Sequence, residues 1–98
     1  MNMQNLMAQA QKMQRDITKK QEEIYQMNFV GSSEWVDITV TGKKDIIKMD
    51  IKYDGDINED RELLADMITI ALNDAFKKVE KEIENKLGAY SKQLGGLF

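Results

Sequence analysis

The sequence predicts an α+β fold in which two long amphipathic helices flank a small antiparallel sheet. Three observations carry that reading. Apolar residues recur at alternating intervals of three and four through residues 2–27. The interval drops to two across residues 34–53, then returns to three and four from Leu64 to Leu87. The first period belongs to a helix with one apolar seam, the second to a half-buried strand.

The first stripe is Met3, Leu6, Ala10, Met13, Ile17, Ile24 and Met27, with Lys20 in the one missing slot. Gln, Lys, Glu and Arg fill most of the remaining positions and are good helix formers, so a helix is expected over residues 2–27. Phe29-Val30-Gly31-Ser32-Ser33 reads as a short strand entering a turn. In residues 34–41, Val36, Ile38 and Val40 alternate with Asp37, Thr39 and Thr41. In residues 46–53, Ile47, Met49, Ile51 and Tyr53 alternate with Lys48, Asp50 and Lys52. Between these runs, Gly42-Lys43-Lys44-Asp45 supplies a glycine-containing turn, which makes them a hairpin. Asp54-Gly55-Asp56 is a loop. Asn58 is a candidate N-cap, and Glu59, Asp60 and Glu62 put negative charge where a helix dipole favours it. The second stripe is Leu64, Ile68, Ala71, Ala75, Val79, Ile83 and Leu87, widened by Leu63, Met67, Leu72 and Phe76. Gly88 is a natural stop with Lys86 in the last turn, so this helix is expected over residues 58–87, followed by a flexible tail, 88–98.

A chain of 98 residues suffices for a single domain, 1–98. It has no cysteine and no histidine, which removes disulfides, thiol nucleophiles and the commonest general base and metal ligand. No apolar run approaches the ~20 residues of a membrane span, and residues 1–5 lack the charged-then-apolar pattern of a signal peptide. The expectation is a cytoplasmic protein with no membrane partner. Helices of 25–30 residues would be about 38–45 Å long, whereas a compact globule of this size is about 30–35 Å across. The overhang would leave a seam in water, and a two-fold homodimer hides it. Leu6, Met13, Ile17 and Ile24 are then candidate dimer contacts. The alternative is an antiparallel seam between the two helices of one chain.

Residues that carry chemistry are few. No Ser/His/Asp or Cys/His set exists, and neither GxxxxGK[ST] nor GxGxxG occurs. Catalysis, a metal, a cofactor and a small-molecule substrate are not expected. Asp54, Asp56, Asn58 and Glu59 lack the spacing of a calcium loop and read as a solvated loop leading into a helix cap. The basic residues are more informative, despite the net charge of −3. Lys12, Arg15 and Lys19 share one face of the first helix, with Lys20 beside them, and Lys77, Lys78 and Lys81 cluster on the second. Acids gather separately, between Asp54 and Asp66. Such segregation suits a phosphate backbone; it also suits a solvated helix face. Trp35 is out of phase with Val36, Ile38 and Val40, so it is either a stacking platform for DNA or a dimer contact covering a helix base.

The whole pattern resembles the YbaB/EbfC family of nucleoid-associated proteins. The resemblance rests on Asn5-Leu6-Met7-Ala8-Gln9-Ala10-Gln11-Lys12-Met13-Gln14, on Phe29-Val30-Gly31 and on Val36-Asp37-Ile38-Thr39-Val40-Thr41-Gly42. Glu62-Leu63-Leu64, Ala71-Leu72-Asn73-Asp74-Ala75 and the Gly-Gly-Leu-Phe end complete it. The resemblance implies an α-β-β-β-α subunit, a homodimer at the nucleoid, and binding to double-stranded DNA with little sequence preference, affecting DNA conformation and gene expression. A dimeric helical adaptor for another protein is the alternative function.

Overall fold

The computed structural model describes residues 2–93. Helix α1 spans Met3–Tyr25, strands β1, β2 and β3 span Asn28–Ser32, Val36–Thr41 and Ile46–Ile51, and helix α2 spans Arg61–Gln93. The element order is therefore α-β-β-β-α, an α+β fold. Asn2 caps α1 by accepting a hydrogen bond from the Asn5 amide at 2.9 Å. The sheet has the order β1-β2-β3, antiparallel throughout. Gly31 faces Ile38, which faces Met49, and Val36 faces Ile51. A register shift between Thr39 and Val40 brings Ile46 opposite Val40.

The alternation read from sequence sends Val36, Ile38 and Val40 to one face of the sheet, where all three are fully buried. They meet Ala71, Ala75 and Val79 of α2, also fully buried, with Phe29 and Leu64 at the margins. Gly31 is essential to this contact. A Cβ there would collide with the Ala71 carbonyl and with Ala75, so the helix backbone lies directly against β1. Polar ties fix the same contact: the Ser32 amide donates to Asp74 at 3.0 Å, and the Lys78 ammonium donates to the Val30 carbonyl at 2.6 Å. The turn between β2 and β3 is tied to α2 by the Lys44–Glu80 ion pair.

Past the sheet, α2 pairs with α1 instead. Ile17, Ile24 and Leu87 form a second buried cluster with Met13, Ile83 and Tyr90 packed against it. This is the antiparallel seam within one chain that the stripes allowed as an alternative. Compactness was the wrong assumption in the length argument. The extents are 70 × 22 × 14 Å, and the radius of gyration is 19.2 Å against roughly 13 Å for a compact chain of this size.

Two boundaries differ from the sequence reading. Helix α2 begins at Arg61, not near Asn58; the Leu64 amide donates to the Asp60 carbonyl at 2.8 Å, while the Asn58 amide turns to the Asp56 carboxylate at 2.9 Å. Gly88 does not stop the helix, which continues to Gln93. The seam explains why: Leu87 and Tyr90 pack on α1, and that contact outweighs glycine's weak helix propensity. Residues 88–93 are thus helix rather than tail, and residues 94–98 lie outside the described part.

Two outcomes test this packing. Ile38→Ala is expected to remove about 2–5 kcal/mol of stability in urea denaturation, since the site is walled by strands and helix and relaxes little. The second outcome concerns acid. The Ser32 amide and the Lys78 ammonium hold the Asp74 carboxyl below the usual aspartate range, and the Ser32 hydroxyl with Lys52 does the same for Asp37. A depressed folded pKa contributes stability that is complete above the unfolded value, near 3.9, and is lost as pH falls through the folded one. Asp74→Asn is therefore expected to unfold at lower urea than the parent at pH 7, with the gap closing below about pH 4.

Candidate nucleic-acid interface

The seam fixes the rotation of α1. With Ile17 and Ile24 turned to α2, helical spacing sends Lys12, Arg15 and Lys19 to the opposite side, and all three are exposed. None joins an ion pair among the described residues. Lys20 stands at the seam's border, half-buried, in a cleft with Asp16, Glu23 and Tyr90.

On α2 the three lysines separate. Lys77 and Lys81 are exposed, on the side turned away from Ala71, Ala75 and Val79, and have no ion pair among the described residues. Lys78 is occupied. It reaches the Val30 carbonyl and sits 3.5 Å from Asp74, clasping the helix to β1. Most other cations are also engaged: Lys44 with Glu80, Lys48 with Asp50, Lys52 with Asp37 and Lys86 with Glu23. Lys43 was missed by sequence reasoning. It lies in the β2–β3 turn, 5.1 Å over the Tyr25 ring, and shares an open cleft with Lys19. Its signal was the Gly42-Lys43-Lys44 turn, read only as a connection.

Acidic residues crowd the other end of α2, where Glu59, Asp60, Glu62 and Asp66 line a shallow depression. Glu80, Glu82 and Glu84 stand among the lysines of the other half of α2, so acid is concentrated at this end but not confined to it. No group of three or more His, Cys, Asp or Glu able to hold a metal occurs among the described residues. No described helix is long and apolar enough to cross a membrane.

Trp35 sits in a bend before β2, so strand alternation does not govern it. Its ring stacks on Tyr53 with centroids 4.1 Å apart, and it packs against the sheet–helix core of its own chain. The Tyr53 hydroxyl donates to Asp60, which together with burial raises the phenol's pKa. Of the other candidate dimer residues, Ile17 and Ile24 are buried in the seam, Met13 is half-buried, and Leu6 is exposed. A larger apolar surface lies elsewhere. Ile46, Ile47, Met49 and Ile51 of β3 are all exposed. Met49 and Ile51 share the inner face with Ile38 and Val36, but α2 covers only β1 and β2.

These features define a class: an elongated three-stranded domain with a helical arm bearing unpaired cations and a bare apolar edge strand. The chain belongs to the YbaB/EbfC DNA-binding family, whose profile it matches over residues 1–94. It is 45% identical over 96 residues to a nucleoid-associated protein of Lactococcus lactis, covering 96% of this chain and 97% of the relative. A nucleoid-associated protein of Enterococcus faecalis is 40% identical over 97 residues, covering 97% and 93%. The crystal structure of an uncharacterized protein from Helicobacter pylori shares the fold, with a TM-score of 0.73 at 23% identity over 87% of this chain and 91% of that one.

The division among lysines is testable. Lys78→Ala is expected to lower stability by about 0.5–1 kcal/mol through loss of its bond to the Val30 carbonyl, whereas Lys77→Ala stays within about 0.5 kcal/mol of the parent in urea denaturation.

Proposed function

We propose that this protein is a nucleoid-associated homodimer in the cytoplasm that grips the phosphate backbone of double-stranded DNA, with little sequence preference and without catalysis. The observation that carries the reading is the outward face of α1, where Lys12, Arg15 and Lys19 are exposed and free of ion pairs among the described residues. Lys77 and Lys81 of α2 extend it, with Lys20 at the border; Lys78 contributes through the fold. Family membership and the names of the relatives support DNA as the partner. Lysine and arginine aimed at phosphates position a protein without reading bases, which accounts for weak sequence preference. Backbone contacts at two places let a dimer bear on DNA conformation and so on gene expression.

The bare inner face of β3 supports the homodimer. A second copy would cover Ile46, Ile47, Met49 and Ile51, a more accessible surface than the seam residues Ile17 and Ile24. Leu6 remains exposed for either purpose, while Trp35 is committed to Tyr53. The adaptor reading rests on Leu63 and Ile70, exposed and seven apart on α2. A protein partner retained after nuclease treatment would favour it.

DNA affinity measured across salt concentrations is expected to fall steeply, with a log–log slope of about −0.9 per phosphate contacted. Charge reversal at Lys12, Arg15 and Lys19 together should weaken binding equally on unrelated sequences and flatten that slope by about 2–3 per protomer. Absence of binding at low salt, or affinity indifferent to salt, contradicts the reading. Light scattering of the parent should give twice the 11.3 kDa chain mass, and Met49→Lys with Ile51→Lys should reduce it to 11.3 kDa while leaving the fold intact.

A further inference from the structure

The row of cations on α1 points toward the turn between β2 and β3. Lys12, Arg15 and Lys19 follow one another at steps of three and four, and the same steps lead on to Glu22 and Gln26, both exposed. Glu22 and Gln26 line an open cleft together with Lys19, Tyr25, Thr41 and Lys43. The far wall of that cleft is the β2–β3 turn, which is seated on the end of α1. Gly42 is buried, its amide donates to the Met27 carbonyl at 3.2 Å, and a Cβ there would collide with the Ile24 carbonyl. Within the turn, the Lys44 amide donates to the Thr41 carbonyl at 2.8 Å. The Thr41 hydroxyl accepts from the Lys43 and Asp45 amides, both at 3.2 Å. The backbone of Lys43 is thereby fixed relative to α1.

The two lysines of the turn differ. Lys44 pairs with Glu80 of α2. Lys43 is exposed, joins no ion pair among the described residues, and holds its ammonium 5.1 Å over the Tyr25 ring. A cation over an exposed ring is weakly held and stays open to an anion. Three acids also line the cleft: Glu23 is taken by Lys86 at 3.4 Å, while Glu22 and Asp45 join no ion pair among the described residues. We propose that Lys43 is a further phosphate contact, which carries the α1 row off the helix and onto the sheet. This rests on the reading of the α1 face as a DNA-binding surface. From Lys12 to Lys19 the row covers about 10 Å of helix axis, and reaching the level of Gln26 extends it to about 20 Å. Glu22, between Lys19 and Lys43, opposes the phosphates and weakens the grip.

Lys43 also brings positive charge to the end of α1, whose last turn has no basic residue. Stability alone therefore does not separate the two roles, whereas the salt dependence of DNA affinity does. Lys43→Gln is expected to reduce the log–log salt slope by about 1 per protomer, alike on unrelated sequences, and Lys44→Gln to leave the slope at the parent's value. Glu22→Gln is expected to raise affinity by about threefold, as removal of a like charge near the phosphates requires. An unchanged slope in Lys43→Gln, an equal loss of slope in Lys44→Gln, or no gain in Glu22→Gln overturns the proposal. Where charge reversal at Lys12, Arg15 and Lys19 weakens binding and Lys43→Gln does not, the α1 reading stands and this one falls; a parent that binds no DNA at low salt removes both.

Discussion

The fold depends on one close approach, the backbone of β1 against the backbone of α2. Gly31 on the strand and Ala71 and Ala75 on the helix are the small residues that permit it. Because the helix lies against β1, its flank reaches β2 but not β3. Val36, Ile38 and Val40 are sealed, whereas Met49 and Ile51, in the same rows of the sheet, stay open. A bulkier contact at Gly31 would lift the helix from the strand, and Asp74 and Lys78 would lose their backbone partners on Ser32 and Val30. The same seating aims the C-terminal half of α2 past the sheet, where Ile83, Leu87 and Tyr90 meet α1. The arm and the bare edge strand are two consequences of one contact.

Electrostatics follows from the same geometry. Lysines near the sheet find acids or carbonyls, as Lys44, Lys52 and Lys78 do, and their charge is spent within the fold. On the outer face of α1, Lys12, Arg15 and Lys19 are exposed and join no ion pair among the described residues, although Glu22 shares that face. A chain with a net charge of −3 thereby presents a locally cationic helix. Net charge describes the whole surface, and a phosphate backbone meets only part of it.

Much of this was legible in the sequence. Strand alternation identified Val36, Ile38 and Val40, and helical spacing identified Ala71, Ala75 and Val79, because burial leaves a period in the residues it selects. What was not legible depended on contacts between distant elements. Gly88 is a stop signal locally, and the α1 seam overrides it. Trp35 was placed by strand parity, but it precedes the strand and answers to Tyr53. Lys77, Lys78 and Lys81 look alike in sequence; only the position of β1 separates the clasp from the free charges. The exposed row on β3 reads as an ordinary half-buried strand, since sequence does not tell how far a helix reaches across a sheet. Helix length alone calls for a second copy only in a compact subunit, and this one is elongated.

The central claim is that the contact at Gly31 seats α2, and Gly31→Ala tests it most directly, read by thermal unfolding. Alanine in place of a strand glycine ordinarily stabilises by about 0.4–1 kcal/mol through the unfolded chain. Here its methyl group has no room, and overpacking of this kind costs about 1–3 kcal/mol. Because the clash is with helix backbone, the upper end of that cost applies; set against the gain it leaves about 2 kcal/mol of net loss, and the account predicts a melting temperature lowered by about 8–16 °C, given the ~4–8 °C per kcal/mol of a domain this size. An unchanged or raised melting temperature would contradict it.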